Sequence, residues 1–504
     1  MPVSNELFDV IRVMNRKEKS FFRRYFRLHS AGKDGAMLTL FEAMAGYVLE
    51  NESYDEKQLK LSVDAQTKRH FPVTKNNLYK LVLRSLTEYR RENNSKNQFK
   101  DVLEQYDILF SMSLLKQAER LLKKAKKIAT DQEQFMDLYN ILNRERTLAR
   151  YMLDAEGYSK VIKRVNADIN IILEKIKNLS ELNDLGSRIS VLNQKYPTAR
   201  NRDEEGAKER DILINNPLLS DESKMLSSIS LKRFYNYKVI LNEWAGDHAA
   251  SLGFARKYSD LVEKDVLRKK ASLHEFIISL NTVLVTSVRT PNMIEYEEAY
   301  SKLAGFNSSF PEATERDRLE ASFNLGLSVF SSAADNYHPE RGEEMLTDAE
   351  DNIRKYERTL STQQKIVWYF VIARFCFSKG AFADAGRWLN RLIQIPNIDV
   401  SQDYQCYARI MNLVVAYESG NPDRIEHELR RAYYFLTKRN KIYKYEKIIL
   451  EYTRQAFRVR SQLEINEMLE LMYRDLKAIQ NDPFEENAFD AFNILPWLES
   501  KLKH

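Results

Sequence analysis

Apolar side chains recur at every third or fourth position along most of this chain, and no period-two alternation is long enough for a sheet. The clearest stretch is WYFVIARFCFSKGAFADAGRWLNRLIQIP, which runs from Trp368 to Pro396. An apolar helical pattern leads into Gly380, and a second pattern begins near Phe382 and ends before Pro396. The sequence therefore predicts two helices joined by a short turn.

Similar turns recur along the chain. Gly420 follows Gly380 by 40 residues, and similarly placed apolar positions come after each glycine. The other predicted turns lie near Ser111 to Ser113, Gly157, Gly246, Thr290 to Pro291, and His338 to Pro339. Their spacing is roughly 40 to 48 residues, with one turn missing in the polar stretch KYPTARNRDEEGAKERD. We expect a long loop or an irregular unit there, near residues 195–220.

These units resemble tetratricopeptide repeats. In the clearest unit, the positions that match the packing residues of that motif are Tyr369, Ile372, Ala373, Gly380, Phe382, Ala385, Leu389 and Leu392. A second match, in YDILFSMSLLKQAERLLKKAKKIA, is carried by Ala118, Leu122 and Ala125. The period exceeds that of the motif, and Cys376 replaces its usual tyrosine. The resemblance implies an α-solenoid of antiparallel helix pairs over residues 96–480, about eight or nine pairs in a right-handed superhelix.

The two ends of the chain resemble a set of uncharacterised bacterial repeat proteins. The similar segments are the basic and aromatic opening helix, TKNNLYKLVLRSLTEYRR, and the ending FDAFNILPWLESKLK. This resemblance carries no known function. We therefore expect a basic helical N-terminal domain over residues 1–95, the repeats over 96–480, and a C-terminal capping helix over 481–504.

The composition supports an all-α class. Glycine (14) and proline (11) together make up about 5% of the 504 residues, against roughly 12% in an average protein, while charged residues make up 30%. Few turn formers and many Leu, Lys, Glu and Arg residues predict long helices with short connections.

Nothing in the sequence predicts a membrane span or a signal peptide, because the N-terminus lacks a basic start before an apolar run and no apolar run approaches 18 residues. Cys376 and Cys406 lie inside apolar helical stretches without a CxxC partner. They are expected to be buried thiols in a reducing compartment. We therefore expect a cytoplasmic location.

The positive charge is concentrated near the N-terminus. Residues 1–100 hold 19 Lys and Arg against 12 Asp and Glu, whereas the remaining 404 residues hold 59 against 60. The whole net charge of +6 therefore arises in the N-terminal fifth. This excess favours anionic partners without identifying one.

The stretch RKEKSFFRRYFR, residues 16–27, places six basic and four aromatic residues in twelve positions. On a helix the basic residues fall in one arc of roughly 160°: Arg16, Lys17, Lys19, Arg23, Arg24 and Arg27. The opposite arc holds Phe21, Phe22, Tyr25, Phe26 and Leu28. Because bases stack on exposed rings beside basic side chains, this segregation predicts that the rings are core. The basic face is expected to be solvated, and contact with phosphates stays open.

A second basic helix is predicted in VTKNNLYKLVLRSLTEYRR. Thr74 is expected to cap it. Its apolar stripe is Leu78, Val82, Leu86 and Tyr89, and its basic side is Lys80, Arg84 and Arg91. The segment fits either the recognition helix of a helix-turn-helix or winged helix, or a cap that covers the first repeat, and we favour the cap. The candidate anion-binding residues are Arg16, Lys19, Arg23, Arg27, Lys80 and Arg84.

No catalytic or cofactor-binding motif is present: the sequence lacks GxxxxGK[ST], GxGxxG, HExxH and GxSxG. His427 precedes Glu428, but Arg431 stands where a zinc protease needs its second histidine. We therefore expect a non-enzymatic protein without a metal or cofactor.

The repeats offer a second candidate surface. Tetratricopeptide solenoids bind peptides on a concave face, and the resemblance places there Val367, Phe370, Arg374, Phe377, Tyr407, Ile410, Tyr417 and Glu418. Such an aromatic groove with one guanidinium would suit an apolar segment that carries a carboxylate. The alternative is that these rings only pack between neighbouring helices.

The leading hypothesis is a scaffold that binds a protein or peptide through the solenoid. Its rival is a regulator associated with nucleic acid or ribonucleoprotein, which would use the basic N-terminal helices.

Overall fold

The structure is a computed structural model that describes residues 5–29, 35–50, 54–93, 95–195, 204–268, 272–290, 293–356, 360–396, 401–456, 461–482 and 484–503. These residues form helices and contain no strand, so the predicted all-α class is confirmed. No helix among them is long and apolar enough to cross a bilayer. The chain divides into two units, Met1–Ile172 and Leu173–His504. The predicted boundary near residue 95 lies inside the first unit.

The first unit is built from ten helices or parts of helices in its described residues. They are α1 (Glu6–Val13), α2 (Arg16–His29), α3 (Gly35–Glu50), α4 (Glu56–Leu61), α5 (Ala65–Arg69), α6 (Phe71–Asn93), α7 (Ser95–Ser111), α8 (Leu115–Asp131), α9 (Phe135–Met152) and the start of α10 (Ala155–Lys195). Helices α1, α2, α3 and α6 enclose one core, while α7, α8 and α9 pack in chain order.

The second unit begins within α10. Its further helices are α11 (Glu204–Ile214), α12 (Ser228–Ala245), α13 (His248–Leu267), α14 (Leu273–Ser287), α15 (Ile294–Ala304), α16 (Phe306–Ser309), α17 (Glu315–Ala334), α18 (Pro339–Tyr356), α19 (Thr362–Ser378), α20 (Phe382–Gln394), α21 (Gln402–Glu418), α22 (Pro422–Lys438), α23 (Lys444–Ala456), α24 (Gln462–Ile479), α25 (Glu486–Ala491) and α26 (Leu495–Leu502). Two short 3-10 helices, Pro217–Leu219 and Glu222–Lys224, precede α12. Most consecutive helices pack on one another.

Several helix boundaries fall at the predicted turns. Gly246, Gly380 and Gly420 all have positive φ, which glycine adopts without a steric penalty. The turn predicted at Gly157 lies slightly earlier, because α10 begins at Ala155 and continues for 41 residues. The end of the polar stretch lies in α11, the two 3-10 helices follow it, and residues 196–203 lie outside the described residues.

The prediction that α2 has a buried aromatic side and an exposed basic side is largely confirmed. Phe22 and Phe26 are buried, whereas Arg16 and Arg27 are exposed. Leu28, which shares the arc of the aromatic residues, is 80% exposed. It lies about 120° around the helix from Phe22, so the buried stripe is narrower than the aromatic arc.

Tyr25 lies at the edge of this stripe. Its side chain is half-buried and its ring stacks on His29, with the ring centroids 4.1 Å apart. The ring of Phe21, also half-buried, packs against Tyr89 of α6 at 5.2 Å. These two rings therefore contact their neighbours on one side and solvent on the other, so the prediction that all the rings of α2 are core is wrong for Phe21 and Tyr25.

The other basic helix starts earlier than predicted. Helix α6 begins at Phe71, and the backbone N–H of Thr74 already donates to the carbonyl of His70. Thr74 is therefore an internal residue rather than the cap. Leu78 and Val82 are fully buried, as the stripe predicted. The side chain of Arg91 lies outside the described residues.

Replacing Phe22 with Ala should destabilise the first unit by about 3 to 5 kcal/mol, because the ring is fully buried and its removal leaves a cavity. Replacing Leu28 with Ala, on the same helix, should change the free energy of unfolding by less than about 0.5 kcal/mol. Urea denaturation of both variants measures the difference. Equal losses would show that the buried side of α2 has been assigned wrongly.

Candidate functional site

The aromatic residues predicted to line an open groove lie in the core of the second unit. Phe370, Phe377 and Tyr407 are 2%, 7% and 1% exposed. The ring of Phe370 packs edge-on against Tyr404 at 5.1 Å, and the ring of Phe377 packs edge-on against Phe492 at 5.0 Å. This placement favours the alternative reading, in which the rings pack between neighbouring helices.

The polar residues of the predicted groove are also engaged within the chain. Arg374 forms an ion pair with Asp335, and only 12% of its side chain is exposed. The Glu418 carboxylate accepts a hydrogen bond from Nε1 of Trp497 at 2.5 Å, and it lies 2.8 Å from Nζ of Lys501. These two charges are therefore balanced by partners in this conformation.

The C-terminal segment (residues 486–502, α25 and α26) supplies these contacts. Its buried residues are Ala488, Phe489, Phe492, Ile494, Leu495, Trp497 and Leu498. The ring of Trp497 packs edge-on against Tyr417 at 5.8 Å, and the carbonyl of Phe492 accepts a hydrogen bond from the hydroxyl of Tyr445. The chain's own C-terminal segment thus covers part of the surface that the sequence predicted for a partner.

The candidate anion-binding residues differ in their surroundings. Arg16, Arg27, Lys80 and Arg84 are exposed. Arg23 instead donates two hydrogen bonds to Glu42, from Nε at 2.6 Å and from Nη2 at 2.8 Å.

Lys19 is half-buried, and burial, together with the nearby charge of Arg23, lowers the pKa of its ammonium group. The pKa of Arg23 is raised, mainly by its hydrogen bonds to Glu42. Of the six candidate anion-binding residues, four are therefore exposed: Arg16, Arg27, Lys80 and Arg84.

An exposed apolar surface that the sequence reasoning missed lies on the first unit. This apolar patch consists of Ile108, Met112, Leu114, Tyr151 and Leu153, which are 53%, 62%, 38%, 66% and 45% exposed. The residues come from the end of α7, the end of α9 and the turns that follow. On the side of α7 that faces α9, the ring of Phe110 packs edge-on against Tyr151 at 5.7 Å.

No metal site is present among the described residues. The carboxylate of Glu428 contacts His427, Arg431 and the side-chain amide of Asn412, at 3.0 to 3.3 Å. It is therefore part of a hydrogen-bonded network.

Both cysteines are free and buried. Burial raises the pKa of the Cys376 thiol to about 12, and burial together with the charge of Asp403 raises the pKa of Cys406. At neutral pH both thiols are protonated, whereas a nucleophilic cysteine requires the thiolate.

Neither cysteine should react with a maleimide in the folded protein at neutral pH, because both thiols are protonated and buried. Mass spectrometry after labelling should find two modified cysteines in denaturant and none in buffer. Rapid labelling of the folded protein would contradict the burial of these side chains.

Replacing Glu418 with Ala should destabilise the second unit by about 1 to 3 kcal/mol, because it leaves the buried Trp497 indole N–H without its acceptor. Amide hydrogen exchange should become faster in residues 486–502. The matched control is Glu426→Ala, which removes an exposed carboxylate paired with Arg430 on α22 and should cost less than about 0.5 kcal/mol. If the C-terminal segment exchanged at the same rate in both variants, the proposed role of Glu418 would be wrong.

Comparison of the chain with protein-family models, with curated proteins and with solved structures gives no match. The similarity to tetratricopeptide repeats therefore rests on the residues quoted above. The candidate surfaces are the apolar patch, the exposed cations of α2 and α6, and the covered face of the second unit.

Proposed function

We propose that this protein is a non-enzymatic cytoplasmic adaptor that binds a protein or peptide partner through its helical repeats. We further propose that consecutive helices within each unit form antiparallel pairs of the tetratricopeptide-like kind. The order of helix packing and the turns at Gly246, Gly380 and Gly420 support this arrangement. Repeat proteins of this kind bind through extended surfaces.

The apolar patch is the observation that carries this proposal. Soluble proteins rarely expose clustered large apolar side chains, and such clusters mark sites of interaction. Met112 and Tyr151 are each more than 60% exposed, and Tyr151 is of the residue type that dominates binding energy at interfaces. The patch is open in the structure, whereas the C-terminal segment covers the face that contains Phe377 and Glu418.

The charges around the apolar patch indicate the chemistry of the partner. Lys116 follows Leu114 in the chain and Arg150 precedes Tyr151, and both cations are exposed. An apolar segment with flanking carboxylates would bury its apolar side chains on the patch and pair its charges with these two residues. We therefore propose a partner segment that is apolar at its centre and acidic at its edges.

A second candidate function is nucleic-acid binding, and one observation favours it. Arg16, Arg27, Lys80 and Arg84 are exposed on two helices, α2 and α6, that pack together. The rings of α2 are buried or half-buried, so this surface offers charge without a stacking platform. Protein binding is therefore the preferred proposal.

The proposal is tested by capture of partners from cells of the native host, with quantitative mass spectrometry and with and without nuclease. The double variant Met112→Ser and Tyr151→Ser should lose the partner, because it removes the most exposed apolar side chains of the patch. Binding to the purified partner should weaken by about 30-fold or more, which is the usual effect of losing an aromatic side chain at the centre of an interface.

The matched control is Leu463→Ser, which removes an exposed apolar side chain of the second unit and should leave binding unchanged. The nucleic-acid alternative is tested by replacing Arg16, Arg27, Lys80 and Arg84 with Glu. If the partners disappear after nuclease treatment and in this quadruple variant, the adaptor proposal is overturned in favour of nucleic-acid binding.

A further inference from the structure

Helix α22 of the second unit combines exposed cations with two exposed aromatic rings. Residues 429–441 hold five Lys and Arg and no Asp or Glu. Tyr433 and Tyr434 lie within this segment and are 58% and 68% exposed. Neither ring contacts another aromatic side chain, and neither hydroxyl forms a hydrogen bond, among the residues that the structure describes. Both rings are therefore accessible to a ligand.

Helical rotation places these two rings among the cations of α22. At about 100° per residue, one arc of roughly 160° contains both rings and three cations, all of them exposed. In order around the helix they are Tyr433, Arg430, Tyr434, Lys438 and Arg431. The opposite side of α22 is buried in the core of the second unit. In α2 the rings lie opposite the basic residues, whereas in α22 they alternate with them. Helix α22 therefore has the stacking platform that α2 lacks.

The acidic residues near these cations lie on the same helix. Arg430 pairs with Glu426, and Nη1 of Arg431 lies 3.3 Å from Oε1 of Glu428. Ion pairs between neighbouring turns of an exposed helix are weak, so a phosphate group can compete for both guanidinium groups. Lys438 has no ion-pair partner within the described parts of the chain.

Two further guanidinium groups lie against the ring of Phe435, near the end of α22. The Cζ atoms of Arg439 and of Arg409 on α21 are 3.7 and 3.4 Å from the centre of this ring. Neither arginine forms an ion pair with another described residue. Burial, together with the charges of Arg439 and Arg431, lowers the pKa of Arg409 to about 10, so it is still charged at neutral pH. Uncompensated positive charge therefore extends from the exposed side of α22 towards α21.

A single strand of nucleic acid has the two features that this surface can bind. Its phosphates match the cations, and its unpaired bases have faces that stack on exposed rings. An acidic peptide would match the cations alone, and a duplex would present phosphates while its bases stay paired. The cations from Arg430 to Lys438 span about 12 Å of helix, the length of three or four stacked nucleotides at about 3.4 Å each.

We infer that α22 binds single-stranded nucleic acid. Tyr433 and Tyr434 stack on bases, while Arg430, Arg431 and Lys438 contact phosphates. This inference is independent of the proposed adaptor function, because the apolar patch belongs to the first unit and α22 to the second. It also concerns a different surface from the exposed cations of α2 and α6.

The full chain is titrated with fluorescently labelled single strands of about 12 nucleotides, one of RNA and one of DNA, and binding is measured by fluorescence anisotropy. We expect saturable binding of at least one strand at micromolar concentration in low salt, and weaker binding of the corresponding duplex. The logarithm of the affinity should fall with the logarithm of the salt concentration with a slope of about −2, since each of the three phosphate contacts contributes about −0.7. The strand that binds more tightly identifies the ligand as RNA or DNA.

Two double variants separate stacking from folding. Tyr433→Ser with Tyr434→Ser should weaken binding at least about tenfold, because each ring loses a stacked base. Tyr433→Phe with Tyr434→Phe keeps both ring faces and should bind normally. The matched control is Tyr151→Ser, which removes a ring of similar exposure from the apolar patch and should not change the affinity for either strand.

The contribution of charge is tested separately. Lys438→Gln should weaken binding and make the salt slope shallower by about 0.7, because one phosphate contact is lost. The control Lys160→Gln removes an exposed cation of α10 and should leave the slope unchanged. The variant in which Arg16, Arg27, Lys80 and Arg84 are replaced with Glu should keep its affinity, since these residues lie in the first unit.

The inference is overturned if neither strand binds, if the duplex binds as tightly as the single strands, or if the double serine variant binds like the unaltered protein. It is also overturned if the N-terminal quadruple variant loses binding while the double serine variant keeps it. A polyglutamate peptide that binds more tightly than both strands would show instead that α22 binds an acidic protein segment.

Discussion

The helices of this chain are stabilised chiefly by burying one side against the helix that precedes or follows them. Helix α8, for example, packs against α7 and α9 and buries Ala118, Ala125 and Ala129 completely. Small side chains at these positions allow helices to approach closely, and the apolar stripe contributes more stability than helix propensity does. Since most of these contacts are local, the surfaces that remain open are the ends and outer sides of helices, where the apolar patch lies.

One set of contacts departs from this local pattern. Glu418 holds Trp497 and Lys501 of the C-terminal segment, and Tyr417 packs against the same indole. Without this segment, the apolar side chains of α19 and α21 that it covers would meet water. Phe492 and Trp497 of the C-terminal segment make the covering contacts, on Phe377 and Tyr417 respectively.

The sequence correctly predicted the features that depend on helical periodicity. Its predictions were wrong where contacts between helices determine which side chain is buried or where a helix begins. Helical rotation correctly placed Phe22 and Phe26 inside, but it could not show that the neighbouring helices leave Leu28 exposed. A threonine before an apolar stripe suggested a cap at Thr74, yet the chain was already helical from Phe71. The hydrogen bond between Asn412 of α21 and Glu428 of α22 shows the same limit, because only the fold brings these two side chains together.

The separation between Glu418 and Trp497 also has a consequence during synthesis. The two residues are 79 positions apart, so at 5 to 20 residues per second Trp497 is added roughly 4 to 16 s after Glu418. Throughout this interval the apolar face that the C-terminal segment later covers is available to nascent-chain chaperones and to neighbouring chains on the same messenger RNA. The rate of translation through α22, α23 and α24 therefore sets how long the growing chain is open to misassembly.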